Sequence, residues 1–108
     1  MAGYLLIASR DPFESAEIRT FYGLAQSLAQ AREEVTLVLV QNGVLPARAG
    51  GGERWIEELR AAGVEVLADE FSLRERGIPE ARLVEGVTPV SLDVVVGHLG
   101  SGRKALWQ

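Results

Sequence analysis

Short apolar runs alternating with segments of helical periodicity constrain this chain more than any other feature. Tyr4-Leu-Leu-Ile-Ala-Ser9 and Val35-Thr-Leu-Val-Leu-Val40 lack clean polar alternation. Both therefore read as strands covered on two faces. Val64-Glu-Val-Leu-Ala68 is a third such run, Leu83-Val84 a candidate fourth, and Lys104-Ala-Leu-Trp107 a closing edge strand. Between the first two, Ile18, Phe21, Tyr22, Ala25, Leu28 and Ala29 recur every three or four residues and form one apolar stripe. Asp11 as cap, Pro12 at the first helical position and Glu14 three after the cap predict where this helix starts. Trp55, Ile56, Leu59 and Ala62 mark a second helix stopped by Gly63. A short third spans Ser72 to Arg76 before Gly77. A fourth, capped by Ser91, carries Val94, Val95 and Leu99, with Gly100 after it. Strands alternating with helices imply right-handed crossovers and a parallel sheet with helices on both faces.

With 108 residues, 47% of them hydrophobic and 24% charged, residues 1–108 are expected to form a single folded domain. The net charge of −4 and the scattered arginines offer no basic footprint, so no nucleic acid is expected as a partner. No apolar stretch is long enough to span a bilayer, and no membrane partner is expected. Met1-Ala2-Gly3 leads straight into a strand, which does not read as a signal peptide. The chain has no cysteine, which fits a cytoplasmic protein and removes all thiol and disulfide chemistry. With no cysteine and one histidine, a single-chain zinc site is not expected, nor is any other metal or cofactor.

In an open parallel sheet, ligands bind at the carboxyl ends of strands. That rule selects the loops Ser9-Arg10-Asp11-Pro12, Gln41-Asn42-Gly43 and Asp69-Glu70-Phe71-Ser72. The candidate ligand-binding residues are Ser9, Arg10, Asn42, Gly43, Asp69, Glu70 and Ser72. Arg10 beside helix-start N–H groups can hold an anion, but the charge of Asp69 opposes that and favours a polar or cationic ligand. Each also has a structural reading. Asp11 and Ser72 can cap helices, Asn42-Gly43 can be a turn, and Asp69 and Glu70 can be solvated. Gly50-Gly51-Gly52 can cradle a phosphate or serve as a mobile linker, and it matches neither dinucleotide nor P-loop spacing. His98 reads as a structural residue in a last helical turn. No catalytic residue is assigned: neither a Ser/His/Asp triad nor a nucleophile elbow can be built. A phospho-receiver site fails because Lys104 opens the last strand instead of following it. A flavin phosphate loop fails because Arg10 to Glu14 is acidic and lacks glycine.

Five segments in order carry a resemblance. They are Ser9-Arg10-Asp11-Pro12-Phe13-Glu14-Ser15, Val38 to Gly43 with Val44, Ala62-Gly63-Val64-Glu65-Val66, Ser72-Leu73-Arg74-Glu75-Arg76-Gly77 and Glu85-Gly86-Val87. Over nearly its whole length the chain resembles the DsrE/DsrF/DsrH-like family of sulfur-relay proteins, which includes the TusB, TusC and TusD types. The resemblance implies a three-layer α/β/α fold with a mostly parallel sheet of about five strands, assembled into trimers or hexamers. It places Asp69, within about one residue, where sulfur-carrying members hold a persulfide on cysteine. A carboxylate cannot do that work, so the DsrF/TusC-like subunits without a working carrier are the nearer analogue. The expected function is a non-catalytic oligomeric binding or scaffold protein linked to sulfur relay or sulfur metabolism, without persulfide transfer of its own. Its expected partners are itself and other sulfur-relay proteins. The alternative is a small-ligand-binding protein or enzyme using Asp69, Glu70, Ser72 and Asn42 in one crevice. Burial with a raised pKa at Asp69 favours that alternative, and an open, solvated Asp69 the scaffold. Trp55, Trp107 and the contiguous Val94, Val95 and Val96 are expected to supply apolar surface for a subunit contact.

Overall fold

The computed structural model describes residues 3–108; Met1 and Ala2, where the sequence reads no signal peptide, lie outside the described residues. Five strands form one parallel sheet in the order β4-β3-β2-β1-β5. They are β1 (Tyr4–Ala8), β2 (Val35–Leu39), β3 (Glu65–Asp69), β4 (Thr88–Val90) and β5 (Lys104–Trp107). The α-helices are α1 (Ala16–Gln30), α2 (Glu53–Ala61), α3 (Glu70–Glu75) and α4 (Leu92–Gly100).

The order of the strands decides which face each helix covers. From β1 to β4 the chain steps in one direction, and β5 then returns to the far side of β1. Right-handed crossovers made in opposite directions put their helices on opposite faces. The larger core lies under α1 and α2, where Leu6, Ala8, Leu37, Leu39, Val66 and Ala68 meet Ile18, Tyr22, Ile56 and Leu59. The opposite face carries Leu5, Ile7, Val38, Val40 and Leu67, with Val95 of α4 packed on it. No residue of α4 is itself buried. One face is thus a full core and the other is thinly covered.

Two local expectations are corrected. Helix α1 begins at Ala16, and its cap is Ser15, whose Oγ accepts from the Ile18 N–H at 3.2 Å. Asp11 instead closes a separate turn: its carboxylate accepts from Phe13 N–H, and its carbonyl from Glu14 and Ser15 N–H. The fourth strand is Thr88–Val90, paired with Leu67–Asp69, and not Leu83-Val84. Leu83 makes an isolated antiparallel bridge to Arg48, and Val84 N–H donates to the Ala47 carbonyl. Pro89 is tolerated in β4 because that strand is at the sheet edge. Helix α2 ends as expected before Gly63, whose φ of +102° suits glycine. Lys104 pairs with Tyr4, at the opposite end of the sheet from the strand-end loops.

Candidate functional site

The carboxyl ends of β1, β2 and β3 lie side by side, but their loops do not form one crevice. They open into separate hollows. One of them has a volume of about 440 Å³ and lies between the thinly covered face and α4. Ile7, Val40 and Trp107 form its floor, and Leu92, Val95, Val96 and Leu99 its helical wall. Gln41, Asp69, Ser72 and Glu75 are the polar residues among the described ones that line it.

Asp69 ends β3 and caps α3, and it is 6% exposed. Its Oδ2 accepts from the Ser72 N–H at 3.1 Å and from the Ser72 hydroxyl at 2.7 Å. Ser72 Oγ in turn accepts from the Gln41 N–H at 2.8 Å, which ties the end of β2 to α3. A second link comes from Arg76. Its Nε donates to Asn42 Oδ1 at 3.0 Å, and its Nη1 to the Ser72 carbonyl at 3.2 Å.

Ser9, Arg10 and Asn42 come together elsewhere, with Asp11, Glu14 and Ser15, around a hollow of about 170 Å³. Both the N–H and the hydroxyl of Ser9 donate to the Gln108 carbonyl at 2.9 Å, so the switch point between β1 and β5 is pinned. Arg10 lies 3.9 Å from Glu17, with both side chains exposed. Glu70 faces a third hollow with Arg74, Ile78 and Pro89, and lies 3.9 Å from Arg74. Gly43 acts by its size: a Cβ there would stand 2.1 Å from the Ala8 carbonyl oxygen. The cradle suggested at Gly50 is already occupied, since the Gly50 N–H donates to Glu53 Oε1 at 2.9 Å. Nearby, Phe13 and Trp55 stack edge to face at 4.9 Å.

The strand-end rule points to Asp69 and Ser72 and to the loops that hold Gln41 and Phe71, but not to Glu75 or the apolar walls as parts of the same cavity. The signal was present in Val94-Val95-Val96 and Trp107, which the sequence marks as surplus apolar surface. Among the described residues, no group of three or more His, Cys, Asp or Glu is arranged to hold a metal ion. No described helix is long and apolar enough to cross a membrane.

The sequence pattern of the DsrE/DsrF-like family matches residues 2–107. No curated protein is significantly similar to the chain. Among solved structures, the ychN protein from E. coli superposes with a TM-score of 0.90 at 22% identity, covering 100% of both chains. The MTH1491 protein of unknown function from Methanobacterium thermoautotrophicum gives 0.82 at 21% identity, covering 99% of this chain and 98% of that one. The BT1422 protein from Bacteroides thetaiotaomicron, also of unknown function, gives 0.76 at 17%, covering 97% and 94%. At these identities the likeness speaks for the fold.

Proposed function

The chain belongs to the DsrE/DsrF-like family, and from that premise we propose that it is a non-catalytic binding subunit of a homo-oligomer, a trimer or hexamer, that serves sulfur relay or sulfur metabolism without carrying sulfur. The observation that carries this reading is Asp69. The resemblance puts it where sulfur-carrying relatives hold their cysteine, and here it is a buried helix cap at the polar end of an apolar cavity. A carboxylate held this way keeps the architecture of the site and lacks its nucleophile. The apolar rim supports assembly. Trp107 is 67% exposed and Val96 64%, with Phe71 and Leu92 exposed beside them, and such patches mark interaction surfaces.

The burial of Asp69 is the state set out for the enzyme alternative and not the open, solvated carboxylate expected of a scaffold, but that alternative has less support from the rest of the site. It needs Asp69, Glu70, Ser72 and Asn42 in one crevice, and Glu70 and Asn42 line other hollows. Ligand binding without chemistry remains part of the leading reading, because the cavity size falls within the usual range of about 300–1,000 Å³.

Native mass spectrometry after incubation with a persulfide donor tests the proposal. The expected spectrum shows three or six chains of 11.7 kDa each and no covalent addition. A sulfur adduct removed by reductant, or single chains alone, would overturn it.

A further inference from the structure

We infer that the cavity under α4 binds a small organic cation, with an apolar body against the valines and leucines and a protonated amine at Asp69. The inference rests on the reading of the chain as a binding subunit and names the class of ligand.

The polar end of the cavity presents acceptors of one charge. Asp69 and Glu75 are the ionisable groups that line it, and no basic side chain does so among the described residues. Asp69 uses Oδ2 for the cap, and no described group donates to its Oδ1. Ser72 is fully engaged, since its hydroxyl donates to Asp69 and accepts from Gln41. Glu75 lies 3.7 Å from Arg76 Nη1, but that guanidinium reaches towards Asn42 and the Ser72 carbonyl and does not line the cavity. What the apolar chamber offers an incoming group is therefore a nine-tenths-buried carboxylate.

Three kinds of ligand head group can be ranked. An anion is repelled by Asp69 and Glu75. An alcohol donates one hydrogen bond but brings no charge to set against the carboxylate. An ammonium donates its hydrogen bond and also forms an ion pair with the carboxylate, which a buried site screens less than bulk water does. The rings of Phe71 and Trp107 line the same cavity. The walls supply the apolar contact that a charged head alone would lack.

Three probes with one apolar body separate these cases: phenethylamine, 2-phenylethanol and phenylacetate. Binding is read by fluorine NMR of the intact protein labelled with 5-fluorotryptophan. Trp107 lines the cavity and Trp55, beside Phe13, serves as the internal control. The expected result is movement of the Trp107 signal, with phenethylamine binding about tenfold more tightly than the alcohol and phenylacetate not at all. Asp69→Asn keeps a capping side chain, and Glu75→Gln changes an exposed one. Together they should remove the preference for the amine and bring amine and alcohol to about equal affinity. Equal binding of all three probes, preference for phenylacetate, or movement of Trp55 alone would overturn the inference. So would the absence of binding at millimolar probe because a second copy of the chain fills the cavity. Oligomer mass and the persulfide test are read separately, so failure here is distinct from failure of the proposed function.

Discussion

Asp69 Oδ2 accepts from both the backbone N–H and the hydroxyl of Ser72, at 3.1 and 2.7 Å. The pair closes the first turn of α3, and through Ser72 Oγ and the Gln41 N–H it also joins that helix to the end of β2. One carboxylate oxygen thus holds the fold while its residue lines the cavity.

Asp69→Ala should lower stability by about 1–3 kcal/mol, because it removes a cap and leaves a buried hydroxyl without its acceptor. Asp69→Asn should cost distinctly less, since asparagine caps about as well as aspartate. Urea denaturation of both variants checks this, and equal losses would contradict the capping role.

Tyr22 is buried, and no described group bonds its hydroxyl. Burial first, and the negative charge of Asp11 second, hold its phenol above the usual tyrosine range. Tyr22→Phe should therefore raise stability by about 1 kcal/mol at neutral pH, because it removes a desolvated group with no partner. The unfolded chain ionises its tyrosines near pH 10 while the folded one keeps Tyr22 neutral. Stability of the natural protein should then be intact below about pH 10 and fall above it, more steeply than in Tyr22→Phe. Denaturation curves at neutral and alkaline pH test both statements.

Gly43 packs its backbone against the end of β1. In Gly43→Ala the new Cβ would meet the Ala8 carbonyl oxygen at 2.1 Å, a contact that only a backbone shift can relieve. The expected loss is about 1–3 kcal/mol, typical of overpacking. A thermal melt unchanged from the natural protein would show that the junction between the end of β1 and the Gln41–Ala47 segment yields more freely than its geometry indicates.

Much of this was legible in the sequence. The first three strands stand out because both faces of the sheet are apolar where they cross it, and α1 and α2 because each buries one stripe. Asp11, Pro12 and Glu14 imitate a capping box while forming a turn of their own, so α1 starts later than the sequence suggests, after Ser15. Strand β4 is not legible in the sequence, because three residues with a central proline carry no strand signal; only pairing with Leu67–Asp69 makes them one. Asp69 and Ser72 were found by the strand-end rule. The chamber around them was not, because it exists only when β5 returns past β1 and lays α4 over the bare face. Sequence spacing holds no trace of that return.

If the apolar rim is a subunit contact, a charge there should break it. Val96→Glu changes a side chain that is already 64% exposed, so the fold of each chain should survive. Size-exclusion chromatography should then show a shift to smaller species, with circular dichroism unchanged. A variant that elutes with the natural protein would move the contact away from α4.

Light scattering of the natural protein at micromolar concentration tests the central claim most directly. A subunit whose rim closes against its neighbours must bury at least about 1,000 Å² in each stable contact, so its assembly should persist on dilution. The account predicts a mass three or six times the 11.7 kDa of one chain. A mass of 11.7 kDa across the accessible range would contradict it.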